Sequence, residues 1–154
     1  MTGPTQSDIR NLARFRYALR RFLYFSEQVA RRAGLTPQQH QLLLGVAAFT
    51  DKGSATIGEI AEFLQVRHHS AVGLIDRAVK AGLVRREVNP DDQREVFVTL
   101  TADGSRKLRM LTELHHKELS GLRRSLDIFR LEKDNALIAK TSQRRAKAPR
   151  SARS

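Results

Sequence analysis

Arg67 and Arg77 bracket a stretch that also holds His68, His69, Ser70, Val72, Gly73 and Asp76. Arginine can donate a bidentate pair to guanine, histidine and serine can exchange hydrogen bonds with several bases, and valine can touch a thymine methyl. A good bidentate pair contributes about 1–3 kcal/mol of discrimination between bases. Gly73 would let the backbone approach a groove wall, although glycine within a helix is less favourable than alanine by roughly 1 kcal/mol. Further along, Arg85 and Arg86 precede Asn89-Pro90-Asp91-Asp92-Gln93-Arg94. A carboxylate two residues before an arginine can hold the guanidinium in one orientation, which cuts the entropy lost when it enters a narrow, electronegative minor groove. An exposed ion pair is worth only about 0–1 kcal/mol, so stability alone explains little of that arrangement.

These side chains can act on a duplex only if helices and a hairpin position them. Thr56-Ile57-Gly58-Glu59 is a capping box, and Ile57, Ile60, Ala61 and Leu64 follow with helical spacing. After Gln65-Val66-Arg67 the pattern resumes over residues 68–81 with Ala71, Leu74, Ile75 and Ala78, and Gly82 stops it. Two helices joined by so short a turn must cross steeply. Residues 83–88 and 95–100 are rich in β-branched and apolar side chains and predict a two-stranded hairpin, with Pro90, Asp91 and Asp92 in its loop. The succession is the outline of a winged helix-turn-helix, whose second helix enters the major groove while the hairpin arginine lies near the minor groove.

The flanks predict long helices. Leu12, Phe15, Leu19, Phe22 and Val29 form a stripe widened by Tyr17, Leu23, Tyr24 and Phe25, so the first helix should be buried on more than one side. Arg31 and Arg32 suit its negative end, and Gly34 can terminate it. Thr36-Pro37-Gln38-Gln39 opens a second helix, with Leu42, Leu43, Val46 and Phe49 on its buried side and a loop from Asp51 to Ser54. Thr101-Ala102-Asp103-Gly104 caps a final helix with a stripe at Leu108, Leu111, His115, Leu119, Leu122 and Leu126, and a further short helix is expected over 129–138. The expected organisation is mainly α with a small β-hairpin wing: an N-terminal dimerisation helix over 8–33, a DNA-binding domain over 36–100 with recognition helix 68–81 and wing 83–100, C-terminal dimerisation helices over 101–139, and a basic disordered tail over 140–154.

Composition narrows the partner. The 154 residues fit one domain, and 28 Lys and Arg against 16 Asp and Glu give a formal net charge of +12, which favours a polyanion. Six of the basic residues lie in 140–154, a stretch without an acid. The absence of cysteine excludes disulfides, thiol switching and thiolate metal sites. No apolar run is long enough to span a bilayer, so a soluble cytoplasmic protein associated with the nucleoid is expected, with no membrane role.

The residues that carry a family resemblance are Leu35-Thr36-Pro37-Gln38-Gln39, Ile57-Gly58-Glu59-Ile60-Ala61-Glu62-Phe63-Leu64, Leu74-Ile75-Asp76-Arg77, Gly82-Leu83-Val84-Arg85-Arg86, and Asp92-Gln93-Arg94 continuing through Val98-Thr99-Leu100-Thr101 to Gly104. In this order and spacing they resemble the MarR family of bacterial transcription regulators. The resemblance implies a homodimer on a pseudo-palindrome with half-sites about one helical turn apart. It also implies Arg94 at the wing tip, with Asp92 as its holder. The chain departs from the family pattern at Arg67, where many members carry a serine or threonine cap, and at His68-His69.

Many family members release DNA when a small aromatic ligand binds, and Arg16, Tyr17, Phe22, Tyr24, Phe25 and His40 are the candidate lining here. Core packing is the competing role for those aromatics. His68-His69 and His115-His116 are adjacent pairs whose rings diverge by about 100° on a helix, so neither suits a shared metal ion. His115 could tune packing with pH, or serve as a hydrogen-bonded interface residue. No catalytic arrangement or cofactor motif is present, so no enzyme activity, cofactor or metal is expected. The expected partners are double-stranded DNA, a second copy of the chain and a small aromatic effector. The rival reading is a sequence-independent architectural DNA- or RNA-binding protein.

Overall fold

A computed structural model describes residues 3–48 and 53–146, with side chains through residue 124. Among these described residues, five helices and a small sheet follow in the order α1 (Gln6–Arg32), α2 (Pro37–Ala48), β1 (Ser54–Thr56), α3 (Ile57–Leu64), α4 (His68–Lys80), β2 (Val84–Val88), β3 (Val96–Leu100) and α5 (Ala102–Ala146). The mainly α class with a β wing is the one expected. The chain forms two compact units, Tyr24–His116 and the pair of segments Met1–Leu23 and Lys117–Ser154.

Within Tyr24–His116, local chemistry fixes the helix starts. Thr36 Oγ1 accepts the Gln39 N–H at 3.1 Å and Gln39 Oε1 accepts the Thr36 N–H at 2.9 Å. Thr56 and Glu59 repeat this reciprocal box at 3.2 and 2.7 Å. Each box satisfies donors that the first turn would otherwise expose. Gly34 at φ 75° and Gly82 at φ 71° turn the chain out of α1 and α4 through a conformation that a side chain would disfavour. Leu42, Leu43, Val46, Ile60, Ile75, Leu83, Val84, Val98 and Leu111 are fully buried, so one core joins α2, α3, α4, the sheet and the start of α5.

The sheet has three strands, not the expected two. Ser54–Thr56 pairs antiparallel with β3, placing Ala55 opposite Val98, and the strand order is β1-β3-β2. Ala55 is buried, which gives this short strand a packing role. Thr101 then joins the wing to α5. Its hydroxyl donates to the Gly82 and Leu83 carbonyls and accepts the Gly104 N–H at 3.0 Å.

The final helix departs from expectation. It runs unbroken through 129–138 to Ala146, where a separate short helix and then a tail from residue 140 were expected. No glycine or proline lies between Leu122 and Ala146, and the leucine, alanine, arginine and lysine there favour helix continuation. The remainder of the expected tail, 147–154, lies outside the described residues, as does Phe49 on the expected buried side of α2.

In the other unit the α1 segment begins with Thr5 and Asp8 capping each other, at 2.8 Å from the Thr5 N–H to the Asp8 carboxylate. Its apolar stripe is only partly covered: Phe15, Leu19 and Phe22 are half-buried, whereas Leu12 is 57% exposed. Burial on more than one side is therefore not reached within a single chain.

Candidate nucleic-acid interface

Helix α4 is anchored along one side and open along the other. Ala71, Leu74, Ile75 and Ala78 of α4 are buried, while Arg67, His68, His69, Ser70 and Arg77 are exposed and Val72, Gly73 and Asp76 are half-buried. Arg67 occupies the N-cap in an extended conformation, with no side-chain cap hydrogen bond. Its guanidinium is thus not used to cap the helix. The helix start also presents backbone N–H groups with positive dipole character, which favours phosphate nearby. At Gly73, an added Cβ would meet only the Arg77 Nη1, at 3.6 Å. Arg77 therefore lies back along the helix over Gly73, and packing inside the chain does not demand glycine there.

The wing arginines fall on opposite faces of β2. Arg86 shares the face of buried Val84 and reaches α4, where its Nη1 lies 2.5 Å from Asp76 Oδ1. Arg85 points the other way and pairs with Glu87 at 2.6 Å, and Glu87 also accepts the Thr99 hydroxyl at 3.2 Å. The hydrogen bond from Arg85 holds the Glu87 carboxyl below its ordinary range. Both cations remain partly exposed, so each can still approach phosphate. Sequence reasoning placed Asp76 on the reading helix without seeing its partner, because that partner comes from β2.

At the wing tip the expected ion pair is replaced by a backbone device. Asp92 Oδ1 accepts the Arg94 backbone N–H at 3.0 Å, and the Asp92 carbonyl accepts the Glu95 N–H at 3.0 Å. Asn89 closes the loop, its side-chain amide donating to Glu95 at 2.7 Å and its Oδ1 accepting the Asp91 N–H at 2.9 Å. Asp92 thus sets the path of the chain at Arg94 and does not clamp the guanidinium. A two-residue offset favours this short Asx-type turn over an extended ion pair. Gln93 and Arg94 project from it, exposed.

The candidate ligand residues do not form one set. In the Tyr24–His116 unit, His40 is 3% exposed and its ring centroid lies 5.2 Å from that of His115, which meets Phe25 edge-on at 5.5 Å. Burial, reinforced by the nearby His115 ring, lowers the His40 pKa to about 4. His115 is buried, and its Nδ1 lies 2.6 Å from the Leu111 carbonyl oxygen one turn earlier in α5. Tyr24 is 66% exposed, away from buried packing. In the other unit, Arg16 and Tyr17 are exposed and Phe22 is half-buried. Among the described residues no cluster of His, Cys, Asp or Glu suits a metal ion, and no helix is long and apolar enough to cross a membrane.

An exposed helix start beside a basic three-stranded wing defines a winged helix-turn-helix protein. Residues 33–95 match the sequence model of the MarR family. The chain is 32% identical over 101 residues to the uncharacterised HTH-type transcriptional regulator YfiV of Bacillus subtilis, a match covering 66% of this chain and 59% of that protein. It spans less than three fifths of the length of the curated relatives it matches. AbsC, a MarR family transcriptional regulator from Streptomyces coelicolor, has the same fold with a TM-score of 0.69 at 20% identity, over 93% of this chain and 99% of AbsC. A mutant of MarR from E. coli, complexed with operator DNA, matches with a TM-score of 0.63 at 21% identity, over 90% of this chain and 99% of that one.

Proposed function

We propose that this protein is a sequence-specific regulator of transcription that binds double-stranded DNA. The observation that carries the reading is the joining of two basic elements: the exposed start of α4, with Arg67, His68, His69 and Ser70, and the wing bearing Arg94, tied to α4 through Asp76 and Arg86. A helix and a wing fixed to one another can read the major groove while a wing arginine enters the minor groove. Gly73, Arg77, Arg85, Asp92 and Gln93 complete the contact or positioning set.

The regulator acts in the cytoplasm, on the nucleoid, as a homodimer that represses by occluding a promoter at a pseudo-palindromic operator. Support for the dimer comes from Ile9, Leu12 and Leu23 on α1 and from Met110, Leu114 and Leu119 on α5, all exposed in the single chain. Exposed apolar surface of this kind marks an association site. A small aromatic effector that releases DNA would act at Phe25 and His40, whose buried neutral imidazole is the polar group best placed to orient it.

Selection from random-sequence duplexes tests this reading, with the full chain and with residues 140–154 removed. Recovery of a palindrome by both proteins supports the regulator. Retention without enrichment would instead establish the architectural alternative favoured by the net charge of +12.

A further inference from the structure

We infer that α1 carries a second nucleic-acid surface, a basic stripe on its outer face that binds a single strand. Arg10, Arg14, Tyr17 and Arg21 follow one another at i, i+4, i+7 and i+11, so they share one face of the helix over about 16 Å. Leu12, Phe15 and Leu19 lie on the opposite face, so the two surfaces do not compete for the same residues. All four stripe residues are exposed, and Tyr17 keeps 62% of its surface in water.

Like charge crowds this face. Residues 9–23 hold five arginines and neither a lysine nor an acid. Two arginine pairs stand at i, i+4, Arg10 with Arg14 and Arg16 with Arg20, and like charges at that spacing disfavour a helix. Solubility would be served as well by mixed charges or by lysine. Arginine in place of lysine brings a planar fork that grips phosphate at two points and stacks on flat rings. Tyr17, set among these forks, offers a ring on which an unpaired base can stack. A duplex keeps its bases stacked on one another and would leave that ring unused. The combination of phosphate forks and an open ring therefore selects a single strand. None of these residues belongs to α4 or the wing, and the proposal does not rest on the operator reading.

The test is fluorescence anisotropy of a labelled oligothymidylate with the whole 154-residue chain, alongside a mixed-sequence duplex of the same length. The double variant Arg10→Gln, Arg21→Gln should bind the single strand at least about tenfold more weakly, with a log–log salt slope shallower by about 1.4, at roughly 0.7 per lost contact. Tyr17→Ala should weaken it about fivefold or more, and Tyr17→Phe should restore it, because stacking needs the ring and not the hydroxyl. Helicity and duplex affinity should be unchanged in all three. Undiminished single-strand binding in the double variant would overturn the proposal. So would loss of duplex binding in step with single-strand binding, or equal competition by polyglutamate, which carries charge without bases.

Discussion

Arg86 on β2 and Asp76 on α4 meet at 2.5 Å, joining by one ion pair the two elements proposed to address adjacent grooves of one duplex. The pair is partly exposed, so its contribution to stability is at most about 1 kcal/mol. Its larger effect is on geometry, since a freely hinged wing would lose orientational entropy when it docks.

Asp76→Asn and Arg86→Gln should therefore each weaken operator binding by about 1 kcal/mol while leaving thermal stability nearly unchanged. Their salt dependences separate positioning from direct contact. If Arg86 acts through Asp76, neither variant changes the log–log salt slope. A slope reduced by about 0.9 in Arg86→Gln alone would show that Arg86 itself neutralises a phosphate.

Arg94 projects from a turn that Asp92 builds by accepting its backbone N–H. Arg94→Ala should cost about 1–3 kcal/mol of operator affinity, as other specific contacts do. Asp92→Ala should cost less, because it loosens the loop and leaves the guanidinium in place. Equilibrium binding at moderate salt ranks the two. Unchanged affinity in Arg94→Ala would remove that residue from the interface.

Gly104 sits where α5 begins against the Leu83 carbonyl, and an added Cβ would collide with that oxygen. The obstruction is backbone, which cannot swing aside as a side chain can. Gly104→Ala should therefore destabilise the protein by about 1–3 kcal/mol, and Thr101→Val by about 1 kcal/mol through the lost cap. Urea unfolding midpoints measure both effects.

Acid should unfold the protein partly through His40. Its folded pKa is lowered from 6.5 to about 4, so below pH 6.5 the unfolded chain takes up a proton that the folded chain refuses. Stability from this residue is complete above pH 6.5, declines as pH falls toward 4 and levels off below, a loss of up to roughly 3 kcal/mol. In His40→Gln the decline between those pH values should be shallower. An identical decline in the two proteins would assign it to other groups.

What the sequence revealed followed the range of the interactions. The capping boxes at Thr36 and Thr56 and the stops at Gly34 and Gly82 depend on neighbours a few residues away, and they stand where local chemistry places them. Ser54–Thr56 carries too little pattern to signal a strand, because its identity comes from pairing with the distant Val98 and Thr99. The same reason hid the bond between Asp76 and Arg86 and the contact of His40 with His115. Asp92 and Arg94 were visible as a pair, but the expected hold on the guanidinium gave way to one on the Arg94 backbone, which the two-residue offset favours. The end of α5 shows the limit of charge as a structural cue, since a basic, acid-free segment continued the helix through Ala146.

The most direct test of the central claim is the affinity ratio between the selected palindrome and a scrambled duplex of the same length, at physiological salt. Specific readout by α4 and the wing predicts a ratio of about 10³ or more, falling by about tenfold or more when Arg67 and His69 are both replaced by alanine. A ratio near one, unchanged by those substitutions, would contradict sequence recognition by this helix and leave only charge-driven binding.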